Sequence, residues 1–167
     1  MTRMRMKTTL MVSLLVLLCI ATSRAQKQPD SNDADSTAIK HTIGDWSGAF
    51  DRHDAHECAL RFVDDADFVS VSGLTFHGRK AIEDHYVSSF SSTLKDAHRT
   101  DTVKSIRFLS PDIASVDVDW EMTGARTADG SERPPRKGLL EPVLVKQNGQ
   151  WSIAVFHETE FNVSSGR

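Results

Sequence analysis

Two ionisable side chains stand inside stretches that are otherwise apolar, and they are the chain's first candidates for acid–base chemistry. Glu141 lies between Leu140 and the run Pro142-Val143-Leu144-Val145. Alternation along a strand groups it with Leu139, Val143 and Val145, an apolar set, which predicts a buried carboxyl. Burial raises a carboxyl pKa and lets the group act as an acid or a hydrogen-bond donor. His157 follows Trp151-Ser152-Ile153-Ala154-Val155-Phe156. It alternates with Trp151, Ile153 and Val155, while Glu158 alternates with Ala154 and Phe156. Both faces are apolar, so periodicity leaves open which of them looks inward. His157 is then either a satisfied structural residue or, within reach of Glu141, half of an acid–base pair. Glu141 and His157 are the expected catalytic residues if the protein is an enzyme.

Other chemistry-bearing patterns are weaker. Trp46, Phe50, Phe68, Tyr86, Trp120 and Met122 supply the lining expected of an apolar pocket for a small hydrophobic molecule. Trp46 reads as core, with an indole N–H that can also donate to a ligand carbonyl. His53, His56 and Glu57 have helix-compatible ligand spacing, but no His-Glu-x-x-His and no second cluster accompany them, so a solvated helix start and no metal are expected. Asp64, Asp65 and Asp67 read as an acidic turn without the Gly and Glu spacing of a calcium loop. Gly78-Arg79 at a helix start either attracts an anion or only sets the turn. With no Gly-x-Gly-x-x-Gly, phosphate-binding loop or nucleophile elbow in the sequence, no cofactor is expected.

The elements that must position these residues follow from periodicity. Ile39, Ile43, Trp46 and Phe50 make one apolar stripe on a first helix from about Ser36. Asp54 caps a short second helix, Ala55 to Phe62. A strand at Phe68 to Val71 and the segment Leu74 to Phe76 flank Gly73. A third helix runs from Arg79 to about Leu94 on Ile82, Tyr86, Val87, Phe90 and Leu94. Strands follow at Val103 to Leu109, Ala114 to Thr123, Gly138 to Lys146 and Trp151 to Thr159. The second of these alternates strictly, which means one wet and one buried face. Helices first and strands after predict an α+β fold in which a curved antiparallel or mixed sheet wraps three N-terminal helices and encloses a pocket.

Residues 1–25 read as a secretory signal: Arg3, Arg5 and Lys7, then the apolar run Leu10 to Ala21, then Ser23-Arg24-Ala25 before a cut at Gln26. Export to the periplasm or the medium is expected, with no membrane association after cleavage. Residues 26–35 read as a disordered leader, 36–161 as one domain and 162–167 as a tail. The formal net charge of −3 becomes −7 once Arg3, Arg5, Lys7 and Arg24 leave, a poor match to nucleic acid or anionic lipid. Cys58 alone then remains, so packing rather than a disulfide must hold the core. Its expected role is a small buried side chain. Asn162-Val163-Ser164 is a glycosylation sequon that matters only in a eukaryotic secretory pathway.

Several spaced motifs carry a resemblance. Trp46-x-x-Ala49, Asp54, Phe62-x-x-Asp65-Ala66-Asp67-Phe68, Gly78-Arg79-x-Ala81-Ile82 and Val143-Leu144-Val145-x-x-x-Gly149-x-Trp151-x-Ile153 occur in the order seen in SnoaL-like proteins. From about Ser36 to Phe161 the chain resembles that group of the nuclear transport factor two-like superfamily. His157-Glu158-Thr159 is similar to the closing triplet of SgcJ/EcaC-like members. The resemblance implies a cone-shaped, cystatin-like α+β barrel, often a homodimer packed through its sheet. Relative to ketosteroid isomerase it implies Trp46 at a first-helix Tyr, Ser70 at the base, Glu141 at the protonated Asp and Tyr86 at a further pocket Tyr. A serine without an activating partner cannot abstract a proton from carbon at neutral pH, which argues against that isomerisation. The reading is an exported small-molecule binder, or alternatively a cofactor-independent isomerase, cyclase or hydrolase.

Overall fold

The computed structural model describes residues 31–161. The signal, Cys19, residues 26–30 and the sequon lie outside them. Helix α1 (Ser31–Asp51) is followed by α2 (Ala55–Ala59), strands β1 (Phe62–Val69) and β2 (Thr75–His77), and helix α3 (Arg79–Phe90). Strands β3 (His98–Ser110), β4 (Ile113–Thr123), β5 (Arg136–Leu140), β6 (Val143–Gln147) and β7 (Gln150–Glu160) complete the chain. The strands form one seven-stranded sheet in the order β2-β1-β7-β5-β4-β3, with β6 bridging β4 and β7. Pairing is antiparallel except between β1 and β7, which are parallel, so the sheet is mixed, curved and α+β.

The helices form where their apolar residues recur on one face. Ile39, Ile43, Trp46, Ala49 and Phe50 of α1 are buried, as are Ile82 and Tyr86 of α3. Asp54 caps α2 by accepting from the Glu57 amide at 3.0 Å. Gly78 opens α3 at φ 84°, which a side chain resists. Its amide donates to the Ala66 carbonyl at 2.8 Å. Arg79 then donates to the Phe62 carbonyl, Nη2 at 2.6 Å, and pairs with Asp64 at 2.8 Å. Its guanidinium is thereby tied to β1.

Several boundaries differ from expectation. Residues 31–35, placed in a leader, are helical, and Asp35 accepts from the Trp151 indole at 3.0 Å and pairs with Lys146 at 2.8 Å. Those two bonds tie the first turn to the sheet. Phe62 to Asp67, expected as a helix end and an acidic turn, is strand. Phe62, Val63, Ala66 and Phe68 are buried while Asp64, Asp65 and Asp67 face water. A register shift against β7 between Phe62 and Asp67 absorbs the polar pair. The expected single strand Gly138 to Lys146 is divided at Glu141-Pro142, because proline has no N–H for the ladder. The Pro142 carbonyl instead accepts from the Val116 amide at 3.0 Å.

Candidate functional site

Strand β3 places a charged group on the buried side of the sheet. Arg99 and Asp101 share one face by period two, opposite Met122 and Trp120 of β4. The Arg99 Nε donates to both Asp101 oxygens at 2.9 and 3.1 Å, and Nη1 donates to the Glu158 Oε1 at 2.5 Å. Ser47 of α1 donates to Asp101 Oδ2 at 2.6 Å. The side chains of Arg99, Asp101 and Glu158 are 2, 1 and 11 % exposed. Burial opposes the Arg99 charge, but Glu158 and Asp101 outweigh it and hold its pKa above the ordinary value. The guanidinium lies 4.8 Å from the Trp46 ring centre and 5.0 Å from that of Trp120, a favourable stacking geometry.

Aromatic side chains wall this charged floor. The Trp46 Nε1 donates to the Tyr86 hydroxyl at 3.0 Å. Burial pushes the Tyr86 pKa well up, so the phenol keeps its proton and can donate it. Phe68 stacks on Phe156 at 5.0 Å, and Tyr86 on Phe90 at 5.5 Å. His85, one position before Tyr86, stacks on Phe76 at 4.2 Å. Burial lowers its pKa and keeps the imidazole neutral. Between these groups lies a cavity of about 180 Å³, partly open to solvent and reached by Ser70, His85, Ser89, Arg99, Arg136 and Glu158. Phe50, Phe68, Tyr86, Trp120 and Met122 line it as well, while Trp46 stands behind Tyr86. Two buried N–H groups of lining residues, Arg99 Nη2 and Trp120 Nε1, have no acceptor among the described residues.

The expected pair Glu141 and His157 is not in this cavity. Both are exposed, Glu141 in the break between β5 and β6 and His157 on β7, and they are joined through the backbone, where the Glu141 amide donates to the His157 carbonyl at 3.0 Å. Burial of the Glu141 carboxyl is therefore a correction. The inward set is Gly138, Leu140, Pro142 and Leu144, whereas Leu139, Val143 and Val145 are only half-buried. On β7 the register against β6 shifts between Val143 and Leu144. That bulge moves the buried phase from Trp151 and Ile153 to Phe156, turning His157 outward and Glu158 inward.

Sequence reasoning missed Arg99 and Asp101 because β3 begins at His98, not Val103. The pattern Arg99-x-Asp101-x-Val103 was the available signal, a charged pair at strand spacing leading into an apolar position. His85 was missed because it adjoins rather than joins the apolar stripe of α3. Ser70 is buried, and its hydroxyl is occupied by Ser72 at 3.0 Å and the Leu74 amide at 3.2 Å. Among the described residues no group of three or more His, Cys, Asp or Glu side chains could hold a metal ion.

The family model for the SnoaL-like domain matches residues 33–157. The chain belongs to the SnoaL-like family. Solved structures carry the same nuclear transport factor two-like, cystatin-like fold. An uncharacterised cystatin-like protein from Caulobacter vibrioides is 24% identical with a TM-score of 0.71, over 77% of this chain and 90% of that one. A putative scytalone dehydratase from Novosphingobium aromaticivorans is 22% identical with a TM-score of 0.68, over 80% and 89%. A ketosteroid isomerase-like protein from Erwinia carotovora atroseptica is 18% identical with a TM-score of 0.65, over 75% and 95%. At these identities the likeness concerns the fold. No curated protein matches the chain.

Proposed function

We propose that this SnoaL-like protein binds a small hydrophobic molecule in the cavity above Arg99. The observation that carries the reading is the cavity itself, with aromatic walls and a few polar side chains, Ser70, His85, Arg99 and Glu158, in its lining. Tryptophan fluorescence titrated with steroids, polyketides and terpenoids tests it. Trp120 lines the cavity, so a seated ligand changes its emission saturably, and the absence of any saturable change across the collection removes the reading.

A second reading, acid–base catalysis in the same cavity, is favoured by one observation. A neutral imidazole, His85, adjoins Tyr86, whose phenol can donate. The putative scytalone dehydratase and the ketosteroid isomerase-like protein share the fold, which supports it at that level. Under it, His85→Gln abolishes turnover of a bound compound while leaving its affinity in place. Unchanged turnover excludes His85 as the base.

Two wider expectations belong to the same proposal. The protein is exported through residues 1–25, which N-terminal sequencing of material outside the cytoplasm checks by finding Gln26 first. It forms a homodimer through the outer face of the sheet, where Leu109 and Ile113 are exposed; light scattering that returns the monomer mass excludes this.

A further inference from the structure

One carboxylate oxygen of the cavity lining is left without a partner. Arg99 is held by two carboxylates, Asp101 and Glu158, so the buried cluster carries a formal excess of one negative charge. Asp101 is spent: both its oxygens accept from the Arg99 Nε. Glu158 differs. Its Oε1 accepts from Arg99 Nη1, while Oε2 has no hydrogen-bond partner among the described residues. Arg99 Nη2 and Trp120 Nε1 are also unpaired, but they are sealed from solvent. Glu158 Oε2 is not among the sealed atoms, and the Glu158 side chain lines the cavity with 11 % exposure. What the cavity offers a ligand is therefore an acceptor that carries negative charge.

The other ionisable groups of the lining leave that charge standing. Arg136 is held by Glu160 through bonds of 2.8 and 2.6 Å. Burial keeps the His85 imidazole neutral. Arg133 also borders the cavity, but it is half-buried, and a charge interaction near water is worth about 0–1 kcal/mol. The walls suit a cation too. Arg99 already lies over the Trp46, Phe50 and Trp120 rings. Phe68 and Tyr86 line the same space with no cation over them among the described residues. A cation on a ring face is worth about 0.5–2 kcal/mol.

We infer that the cavity takes a protonated amine carried on a single apolar ring, the ammonium donating to Glu158 Oε2 and the ring packing among Phe68, Tyr86 and Met122. This rests on the small-molecule reading above and adds the class of ligand to it. With the ammonium in place, charges alternate from Asp101 through Arg99 and Glu158 to the ligand, and their sum is zero. A neutral ligand leaves the excess charge in place with less water around it. An anion adds to that excess, and neither its charge nor that of Glu158 regains its water. The ammonium protons that Glu158 does not take meet water, because the cavity is partly open to solvent.

Probes of nearly one shape test the inference: phenylethylamine, phenylethanol, propylbenzene and phenylacetate. Each has a single ring, suited to a cavity of about 180 Å³, since a cavity of about 150 Å³ accommodates benzene. Each is titrated at about pH 7, where an alkylamine is protonated, into nitrogen-15-labelled full-length protein. Affinities are read from saturable shifts of the tryptophan indole N–H resonances, with Trp120→Phe assigning the Trp120 signal. Phenylethylamine is expected to bind about tenfold or more tightly than propylbenzene, the worth of a hydrogen bond to a charged group. Phenylethanol should fall between them and phenylacetate should bind most weakly. In Glu158→Gln an amide oxygen remains for Arg99 Nη1, and Asp101 still neutralises Arg99, so the variant is expected to fold. There phenylethylamine should lose about tenfold in affinity while propylbenzene binds as before. The ranking of the probes is read on the wild type and holds its force whether or not the variant folds. Propylbenzene or phenylethanol binding as tightly as the amine, phenylacetate binding more tightly, or an unchanged amine affinity in folded Glu158→Gln overturns the inference and leaves the small-molecule reading standing. Failure of every probe together with the wider collection overturns both.

Discussion

Arg99 is the residue on which the interior turns. Its guanidinium is fully enclosed, and removing it leaves Asp101 and Glu158 buried with no counter-charge. Arg99→Met is therefore expected to lower the free energy of unfolding by about 3–5 kcal/mol, read from urea denaturation; a loss below 1 kcal/mol would show that water already reaches the cluster. His85 makes the opposite kind of statement. Burial depresses its folded pKa below the unfolded value of about 6.5. Near that pH and below, the unfolded chain takes up a proton that the folded chain resists, so stability is full above about pH 6.5 and declines as pH falls toward the folded pKa. His85→Phe should flatten that part of the pH–stability curve; an unaltered slope assigns it to other groups. Cys58, buried under α1, has its thiol pKa pushed up to about 12, first by burial and then by Asp54. In a Cys19→Ser background it should react with a thiol reagent only as fast as the protein opens.

At the scale of elements, the site depends on β5 passing very close to β7. A Cβ on Gly138 would stand 2.7 Å from the Trp120 ring and collide with the Thr159 carbonyl. Gly138→Ala should thus cost about 1–3 kcal/mol and displace Trp120, visible as a change in its emission; wild-type stability and emission would show that the strands can separate freely. Glu141, in the break between β5 and β6, and His157 of β7 lie outside the cavity and carry the converse expectation. Glu141→Gln and His157→Gln should each alter stability by no more than about 0.5 kcal/mol and leave ligand affinity unchanged. The strict alternation of β4, from Ala114 to Met122, could be read straight from the sequence, because water on one face and core on the other imposes it at every position. The faces of β6 and β7 could not, since apolar residues occupy both sides and one bulge decides the phase. Asp64-Asp65 misled in the other direction, as two consecutive polar residues look like a turn, whereas here a register shift lets the strand carry both to water.

At the largest scale, the described residues form a mixed sheet closed over helices, and the order of elements was legible because periods of 3.6 and 2.0 rarely overlap in them. Five of the six aromatic and apolar residues expected around a pocket do border the cavity, since in a cone the wall of the hollow is also the face of the core. The charged floor was hidden, because Arg99, Asp101 and Glu158 come from two strands far apart in the chain and meet only after β3 and β7 take their places in one sheet. The central claim is that the hollow beside Arg99 is a ligand site. The direct measurement is thermal unfolding of the wild type and of Ser89→Trp, in which α3 carries a bulky ring into the cavity, each with one- and two-ring hydrophobic compounds. The account predicts that some compounds raise the wild-type Tm, with about 2.7 kcal/mol of stabilisation at a hundredfold excess over Kd, and that Ser89→Trp still folds but loses the shift. No compound raising the wild-type Tm, or an equal shift in Ser89→Trp, would contradict it.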